Sequence, residues 1–304
     1  MVFADLKNDF VFRRIFAAHP GILRGLLNDL LDRRDAETIV SLEYLPSEQL
    51  PLVMGAKLSI LDVRCKDQAG TTFVVEMQLI HVPGFINRVV YNACKSYVSP
   101  LKASDKYTKL MDVIAISICD FELWPDAQQA QQKLPPVPML SRWNMTERKS
   151  GSPGLLQVQY AFLELPKLPD RKPDTGASQW AWLFVHAPQL TEVPAELPPG
   201  PHREALELAN KATFTDEELD AYEKVTAEIQ QVQELVEAKW AEGEAAGQAR
   251  AILAFLAARG IAVSDEVRAR IKACKDTRTL DQWIVRAATA SAAEEVTAPP
   301  STRP

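Results

Sequence analysis

The chain lacks long apolar runs and has few of the residues that build disulfides or zinc sites. None of its stretches approaches the roughly 18 apolar positions of a membrane helix, and no basic-then-apolar signal pattern opens the sequence. We therefore expect a soluble, cytoplasmic protein that does not enter a membrane. Disulfide and zinc frameworks are disfavoured because the relevant residues are scattered; they are Cys65, Cys94, Cys119, Cys274, His19, His81, His186 and His202.

Positive charge is also in short supply. The formal net charge is −6, which is unusual for a protein that binds nucleic acid. Much of the acidic excess lies in residues 216–244, so the first half of the chain can still carry a local basic face. Composition therefore neither supports nor excludes DNA as a ligand.

The most informative stretch is residues 57–79, KLSILDVRCKDQAGTTFVVEMQL. Apolar residues alternate along two arms, which predicts a β-hairpin with Leu61 and Val63 on one face. The turn suits a loop of about three residues with Gly70 in the left-handed conformation. Counting outward from that loop places Asp62 directly opposite Glu76, and directly opposed side chains share a face.

Two carboxylates so placed repel each other unless a cation or a shared proton compensates. The hairpin therefore predicts a metal site at Asp62 and Glu76. The alternative is that both side chains lie at a solvated rim of the sheet and bind nothing.

The hairpin also resembles a known family. Asp62, followed after a strand and a turn by Glu76-Met77-Gln78, is similar to the metal-binding core of the PD-(D/E)XK nucleases. More narrowly, residues 59–78 resemble the Rpn recombination-promoting nucleases, a transposase branch. The resemblance spans about residues 5–190. It implies an α/β fold with a restriction-endonuclease-like core, a mixed sheet flanked by helices, to which this chain adds a C-terminal all-α extension.

Two further segments match the family and extend the site. A K-x-D sequence precedes a Phe-rich helix at the N-terminus, and Asp9 is the matching candidate for a third metal ligand; a plain N-cap at Asn8 or Asp9 is the alternative. On the helix that follows the hairpin, Arg88, Tyr91 and Lys95 share a face. The resemblance makes them DNA-binding candidates, and a solvated basic face is the alternative.

The resemblance implies a Mg²⁺ or Mn²⁺ cofactor held by hard oxygen ligands. In most relatives the last motif position is lysine, but here it is Gln78. A neutral amide can orient water by hydrogen bonds but cannot act as a base. We therefore expect catalysis to involve Asp62, Glu76 and Gln78, with the metal or Lys95 supplying the positive charge.

The chain divides on composition into four parts. We expect a nuclease-like domain at 1–190 with an irregular insertion at about 126–153, a Pro-rich linker at 191–214, a long acidic helix and a small helical module at 215–296, and a disordered tail at 297–304. A capping box predicts that the long helix begins after Thr215, and glycines are expected to interrupt it at Gly243 and Gly247.

The expected function is that of a metal-dependent DNA endonuclease in recombination or mobile-element biology. A homodimer is expected on the ground that two cuts need two sites, and the C-terminal helices are candidates for binding a protein partner. The alternative is a non-catalytic nuclease-like scaffold that binds DNA or a protein. Departures from the family pattern at Gly55-Ala56 and Pro100 favour that alternative.

Overall fold

The computed structural model describes residues 2–49, 59–99 and 105–298. The departures noted at Gly55-Ala56 and Pro100, and the last six residues of the predicted tail, lie outside these ranges. The chain forms two compact units, which meet in sequence at Thr226 and Ala227.

The first unit is built on a six-stranded mixed sheet. Its strands are β1 (Leu42–Tyr44), β4 (Val63–Asp67), β5 (Thr72–Gln78), β6 (Val113–Cys119), β7 (Leu140–Thr146) and β8 (Pro153–Glu164), and two short strands, β2 (Glu48–Gln49) and β3 (Ser59–Ile60), pair separately. The order is β1-β4-β5-β6-β8-β7, with β5, β6 and β8 parallel and the outer pairs antiparallel. Strand β6 is buried along its whole length, as expected for an apolar strand covered on both faces.

The β4–β5 hairpin has the predicted register. Val63 pairs with Val75 and Lys66 with Thr72, which is the register that the loop count predicts, and Asp62 directly precedes the first paired residue of β4. Gly70 closes the loop at φ 89°, a backbone conformation that residues with a Cβ rarely adopt.

The predicted alternation fails at one point of the hairpin. Leu61 packs in the cluster on the opposite face of the sheet from Val63. The reason is a bend at Asp62, which precedes the first residue of β4 and turns the chain out of the regular ladder.

Helices cover both faces of this sheet. One face packs against α1 (Asp9–Phe12), a π-helical turn (Arg13–Ala17), α2 (Pro20–Leu31), α5 (Gly176–His186) and α6 (Pro201–Leu208). The other face packs against α3 (Phe85–Val98), which contributes Phe85, Val89 and Ala93. The predicted α/β architecture with flanking helices is therefore confirmed.

An aromatic cluster ties the N-terminal helices to α5. Its members are Phe12, Phe16, Trp180 and Phe184, all fully buried, with ring centroids 4.6 to 6.5 Å apart. The Trp180 indole N–H donates to Asp29 Oδ2 at 2.9 Å. Offset and edge-to-face packing of this kind adds to the free energy gained by burial. The cluster therefore fixes the segment that carries Asp9.

Residues predicted to be irregular contain regular elements. The expected insertion at 126–153 holds α4 (Asp126–Gln131) and β7, the edge strand of the sheet. The expected linker at 191–214 holds α6, whose Ala205 and Leu206 are buried in the main core beside Ala209 and Phe214. The prolines around this segment favoured the prediction of an irregular linker, although α6 has apolar residues along one face.

The second unit is all-helical. Helix α7 (Asp216–Ala258) starts in the first unit and ends in the second, which also contains α8 (Asp265–Ala273), α9 (Thr277–Thr289) and α10 (Ala293–Thr297). Thr215 and Glu218 form the predicted capping box at the start of α7, through hydrogen bonds of 3.0 and 3.2 Å. No helix in the described ranges is long and apolar enough to cross a bilayer.

Helix α7 continues through Gly243 and Gly247 instead of breaking there. Each glycine costs a helix interior about 1 kcal/mol relative to alanine. Ala245, Ala249 and Ile252 are buried in the core of the second unit, and this packing offsets the cost.

Candidate active site at the open end of the hairpin

Asp62 lies at the bend that begins β4, and both of its carboxylate oxygens have partners. Oδ2 accepts the Met77 backbone N–H at 2.8 Å, and Oδ1 accepts the Arg13 guanidinium at 3.0 Å. The side chain is only 12% exposed. Asp62 is therefore fixed against the backbone of β5, next to the residue that carries the second carboxylate.

Glu76 lies on the α3 face of the sheet and is 8% exposed. Its Oε1 accepts the side-chain N–H of Asn92 at 2.8 Å. Burial raises the pKa of Glu76 above its ordinary value, the positive charge of Arg88 opposes that rise, and the negative charge of Asp62 adds to it. The negative charge of Asp62 therefore disfavours ionisation of Glu76, which is the effect expected of a neighbouring carboxylate.

Asp9 belongs to the same group of negative charges. The N-cap of α1 is Asn8, whose side chain accepts the N–H groups of Phe10 and Val11, so capping does not account for Asp9. Partial desolvation raises the pKa of Asp9, the charge of Asp62 raises it further, and Arg13 lowers it.

Gln78 and Arg88 form a polar pair beside Glu76. Arg88 donates a guanidinium N–H to Gln78 Oε1, and Gln78 Nε2 donates to the Ile80 carbonyl at 3.0 Å. Both polar atoms of the Gln78 amide are engaged in this arrangement. Gln78 therefore orients Arg88, whose positive charge lowers the pKa of Glu76.

The structure places the other two basic-face candidates differently. Lys95 is 3% exposed, and its Nζ lies 5.6 Å from the centroid of the Tyr91 ring. Tyr91 itself is exposed. The helical spacing predicted that Arg88, Tyr91 and Lys95 share one face, but Tyr91 is exposed and Lys95 is buried, and it is the charge of Arg88 that lowers the pKa of Glu76.

Sequence reasoning missed Asn92 and Arg13. Asn92 follows Arg88 by four residues and so shares its face of α3; this spacing was the available signal. Arg13 immediately follows the helix of Asp9, but its contact with Asp62 joins residues far apart in sequence. No local pattern identifies such a contact.

The donor set fits a hard divalent cation. Among the described residues, no three or more His, Cys, Asp and Glu side chains are arranged to hold a metal ion. Magnesium sites, however, commonly use one or two carboxylates and fill the remaining positions with water and substrate phosphate. Asp62 and Glu76 supply two carboxylates, and the buried Oδ1 of Asn92 has no hydrogen-bond partner, which leaves one oxygen acceptor beside Glu76 to be satisfied.

Asn92 is expected to control metal affinity through Glu76. Asn92→Ala removes the N–H that holds Oε1, and loss of such a supporting contact typically weakens metal binding about 10- to 100-fold. Mn²⁺ titration by calorimetry measures the change. Asn87→Ala is the matched control because Asn87 is an exposed residue of the same helix; equal affinities for the two variants would contradict a supporting role for Asn92.

The raised pKa of Glu76 predicts how stability depends on pH in the metal-free protein. Because the folded pKa lies above the unfolded one, the stabilising contribution is complete below the unfolded pKa and is lost as pH rises through the folded pKa. The free energy of unfolding should therefore fall across that interval. Urea denaturation at a series of pH values tests this, and Glu76→Gln should flatten the profile; an equally steep decline in the variant would assign the effect to other groups, Asp9 among them.

Comparison with protein families gives one match. The model of the family described as PD-(D/E)XK nuclease family transposase matches residues 6–238. Comparison with curated proteins and with solved structures gives no match. The matched range contains the hairpin, α3 and the N-terminal helices, and therefore includes Asp9, Asp62 and Glu76.

Proposed function

Because the chain belongs to the PD-(D/E)XK nuclease family transposases, we propose that it is a metal-dependent DNA endonuclease that hydrolyses phosphodiester bonds during recombination or transposition of mobile elements. The observation that carries the proposal is the 2.8 Å bond from the Met77 N–H to Asp62, which holds that carboxylate against β5 next to the residue that carries the second carboxylate, Glu76. Family members are in general dependent on a divalent metal.

Asp62 and Glu76 would hold Mg²⁺ or Mn²⁺, with Asp9 as the third acidic group at the site. When bound, such an ion polarises a phosphoryl oxygen and lowers the pKa of a coordinated water. The protein positions the two carboxylates: the Met77 N–H fixes Asp62 and Asn92 fixes Glu76. Fixed ligands need no rearrangement when charge develops in the reaction.

Arg88 is the cation best placed to bind the substrate. It lies beside Glu76 and is oriented by Gln78, and its planar guanidinium suits a phosphate group. Gln78 cannot serve as a base, so its role is to hold Arg88 and to orient water. We assign the exposed Tyr91 to the DNA-binding surface of the same helix, whereas the buried Lys95 is not part of that surface.

Plasmid cleavage tests the proposal. Purified wild-type protein should convert supercoiled plasmid to nicked or linear DNA in Mg²⁺ or Mn²⁺ and should lose this activity in EDTA. Asp62→Ala should be inactive because it removes a metal ligand. Identical behaviour of wild type and Asp62→Ala would refute the proposal.

A different result would select the non-catalytic scaffold. Salt-dependent DNA binding by the wild type without metal-dependent cleavage would leave only a binding role. The homodimer, the protein partner at the C-terminal helices and the cytoplasmic location stay predictions.

A further inference from the structure

Arg13 lies at the site but has no part in the function proposed above. It is the first residue of the π-helical turn that follows α1, and such turns often occur at functional sites. Its Nη2 contacts Asp62 Oδ1 at 3.0 Å while 47% of the side chain stays exposed to solvent. Arg13 therefore extends from the Asp62 carboxylate to the protein surface.

The adjacent arginine shows that this placement is specific. Arg14 donates to both carboxylate oxygens of Glu218 and to the Leu208 carbonyl, and its guanidinium lies 4.4 Å from the Phe214 ring. Those contacts use Arg14 for packing against the C-terminal part of the first unit. Arg13 instead faces the acidic group.

The Arg13–Asp62 contact supplies positive charge where a metal would. Arg13 lowers the pKa of Asp9 while Asp62 raises it, so the guanidinium compensates the crowded carboxylates. It also occupies Oδ1 of Asp62, and the Met77 N–H occupies Oδ2. A cation on Asp62 would share this oxygen with Arg13, and the repulsion between the two positive charges favours release of the guanidinium.

We propose that Arg13 binds a backbone phosphate of the DNA beside the cleavage site and is released for this role when a metal ion takes its place on Asp62. The inference rests on the proposed function and adds a substrate-binding residue to it. A guanidinium donates two parallel hydrogen bonds to a phosphate as readily as to a carboxylate. A half-exposed arginine next to a metal-bound carboxylate can reach a phosphate without crossing the protein interior.

The test compares four variants of the whole chain with wild type, one of which, Asp62→Asn, removes a carboxylate from the proposed metal site. Arg13→Gln removes the charge, Arg13→Lys retains it, and Arg34→Gln is the matched control because Arg34 bonds the exposed Asp32 at 2.8 Å. Calorimetry measures Mn²⁺ affinity in the absence of DNA. Fluorescence anisotropy of a short labelled duplex in Ca²⁺, over a series of salt concentrations, measures DNA affinity.

Opposite changes are expected in the two measurements. Arg13→Gln should bind Mn²⁺ about threefold more tightly, since an ion pair of this exposure is worth little and its loss frees Asp62. The slope of log affinity against log salt should become shallower by about 0.9, the value for one phosphate contact. Arg13→Lys should restore the slope, and Arg34→Gln should match wild type in both measurements.

Failure of the inference differs from failure of the proposed function. If wild type binds Mn²⁺ through Asp62 but Arg13→Gln keeps the wild-type salt slope, Arg13 contacts no phosphate and the inference is wrong. Weaker Mn²⁺ binding by Arg13→Gln would also overturn it, because Arg13 would then support the metal site. If Asp62→Asn binds Mn²⁺ as tightly as wild type, the proposed metal site itself is wrong.

Discussion

Replacing Glu76 by glutamine should lower the rate of plasmid cleavage about a thousandfold or more. The substitution removes one of two carboxylates at the proposed metal site and keeps the shape of the side chain. Polarisation of the phosphate by a bound cation contributes several kcal/mol to lowering the barrier, and each 1.4 kcal/mol corresponds to about a factor of ten. Initial rates of plasmid nicking at saturating Mn²⁺ measure the effect.

Two controls separate this effect from misfolding and contamination. Glu76→Gln keeps an oxygen that accepts the Asn92 N–H and removes a buried charge, so its thermal unfolding temperature should be equal to or above that of wild type. Glu43→Gln changes an exposed carboxylate on β1 that pairs with Lys66 and should cleave at the wild-type rate. Full activity in Glu76→Gln would show that the cleavage comes from another site or another protein.

Trp180→Ala should destabilise the first unit by about 3–5 kcal/mol. Trp180 is fully buried among Phe16, Phe184 and His202, and truncation of a buried aromatic leaves a cavity that the surroundings fill only in part. The variant also leaves Asp29 without the indole N–H. For a unit of this size the melting temperature should fall by roughly 10 °C, which calorimetry can measure.

The matched control for that prediction is Trp240→Ala. Trp240 is 71% exposed on α7, and surface substitutions usually change stability by less than about 0.5 kcal/mol. A Trp180→Ala variant as stable as Trp240→Ala would show that the aromatic cluster does not hold the N-terminal helices. In that case the positions of Asp9 and Arg13 would need another explanation.

The sequence was sufficient to predict the hairpin and its register. Strand alternation and the Gly70 loop are local signals with a fixed geometry, so they predict the pairing of Val63 with Val75 and of Lys66 with Thr72. The bend at Asp62 has no local signal in the sequence, and neither do the contacts of its side chain with Arg13 and the Met77 N–H. Those contacts come from other parts of the fold.

Helical spacing predicted which residues of α3 lie near one another but not how deeply each of them is buried. Arg88, Asn92 and Lys95 lie within two turns of one another, and the packing of Phe85, Val89 and Ala93 against the sheet decides how the helix is rotated. That rotation brings Asn92 to Glu76 and Arg88 to Gln78, while Lys95 is buried. Periodicity alone cannot supply a rotation that tertiary packing sets.

In the C-terminal half, the sequence predicted irregular structure at two places where the protein is helical. Local glycine and proline signals predicted a broken helix and an irregular linker, whereas α7 is continuous and α6 packs in the main core. In both places burial of small apolar side chains outweighs an unfavourable local propensity. The cores that provide this burial are assembled from distant segments.

The most direct test of the proposed metal centre is an anomalous difference map from crystals of the full-length protein grown with Mn²⁺. The strongest peak should lie within bonding distance of a carboxylate oxygen of both Asp62 and Glu76, and Arg13 should have left Asp62 Oδ1. A strong peak at any other place, with Arg13 still bonded to Asp62, would contradict the assignment of this site.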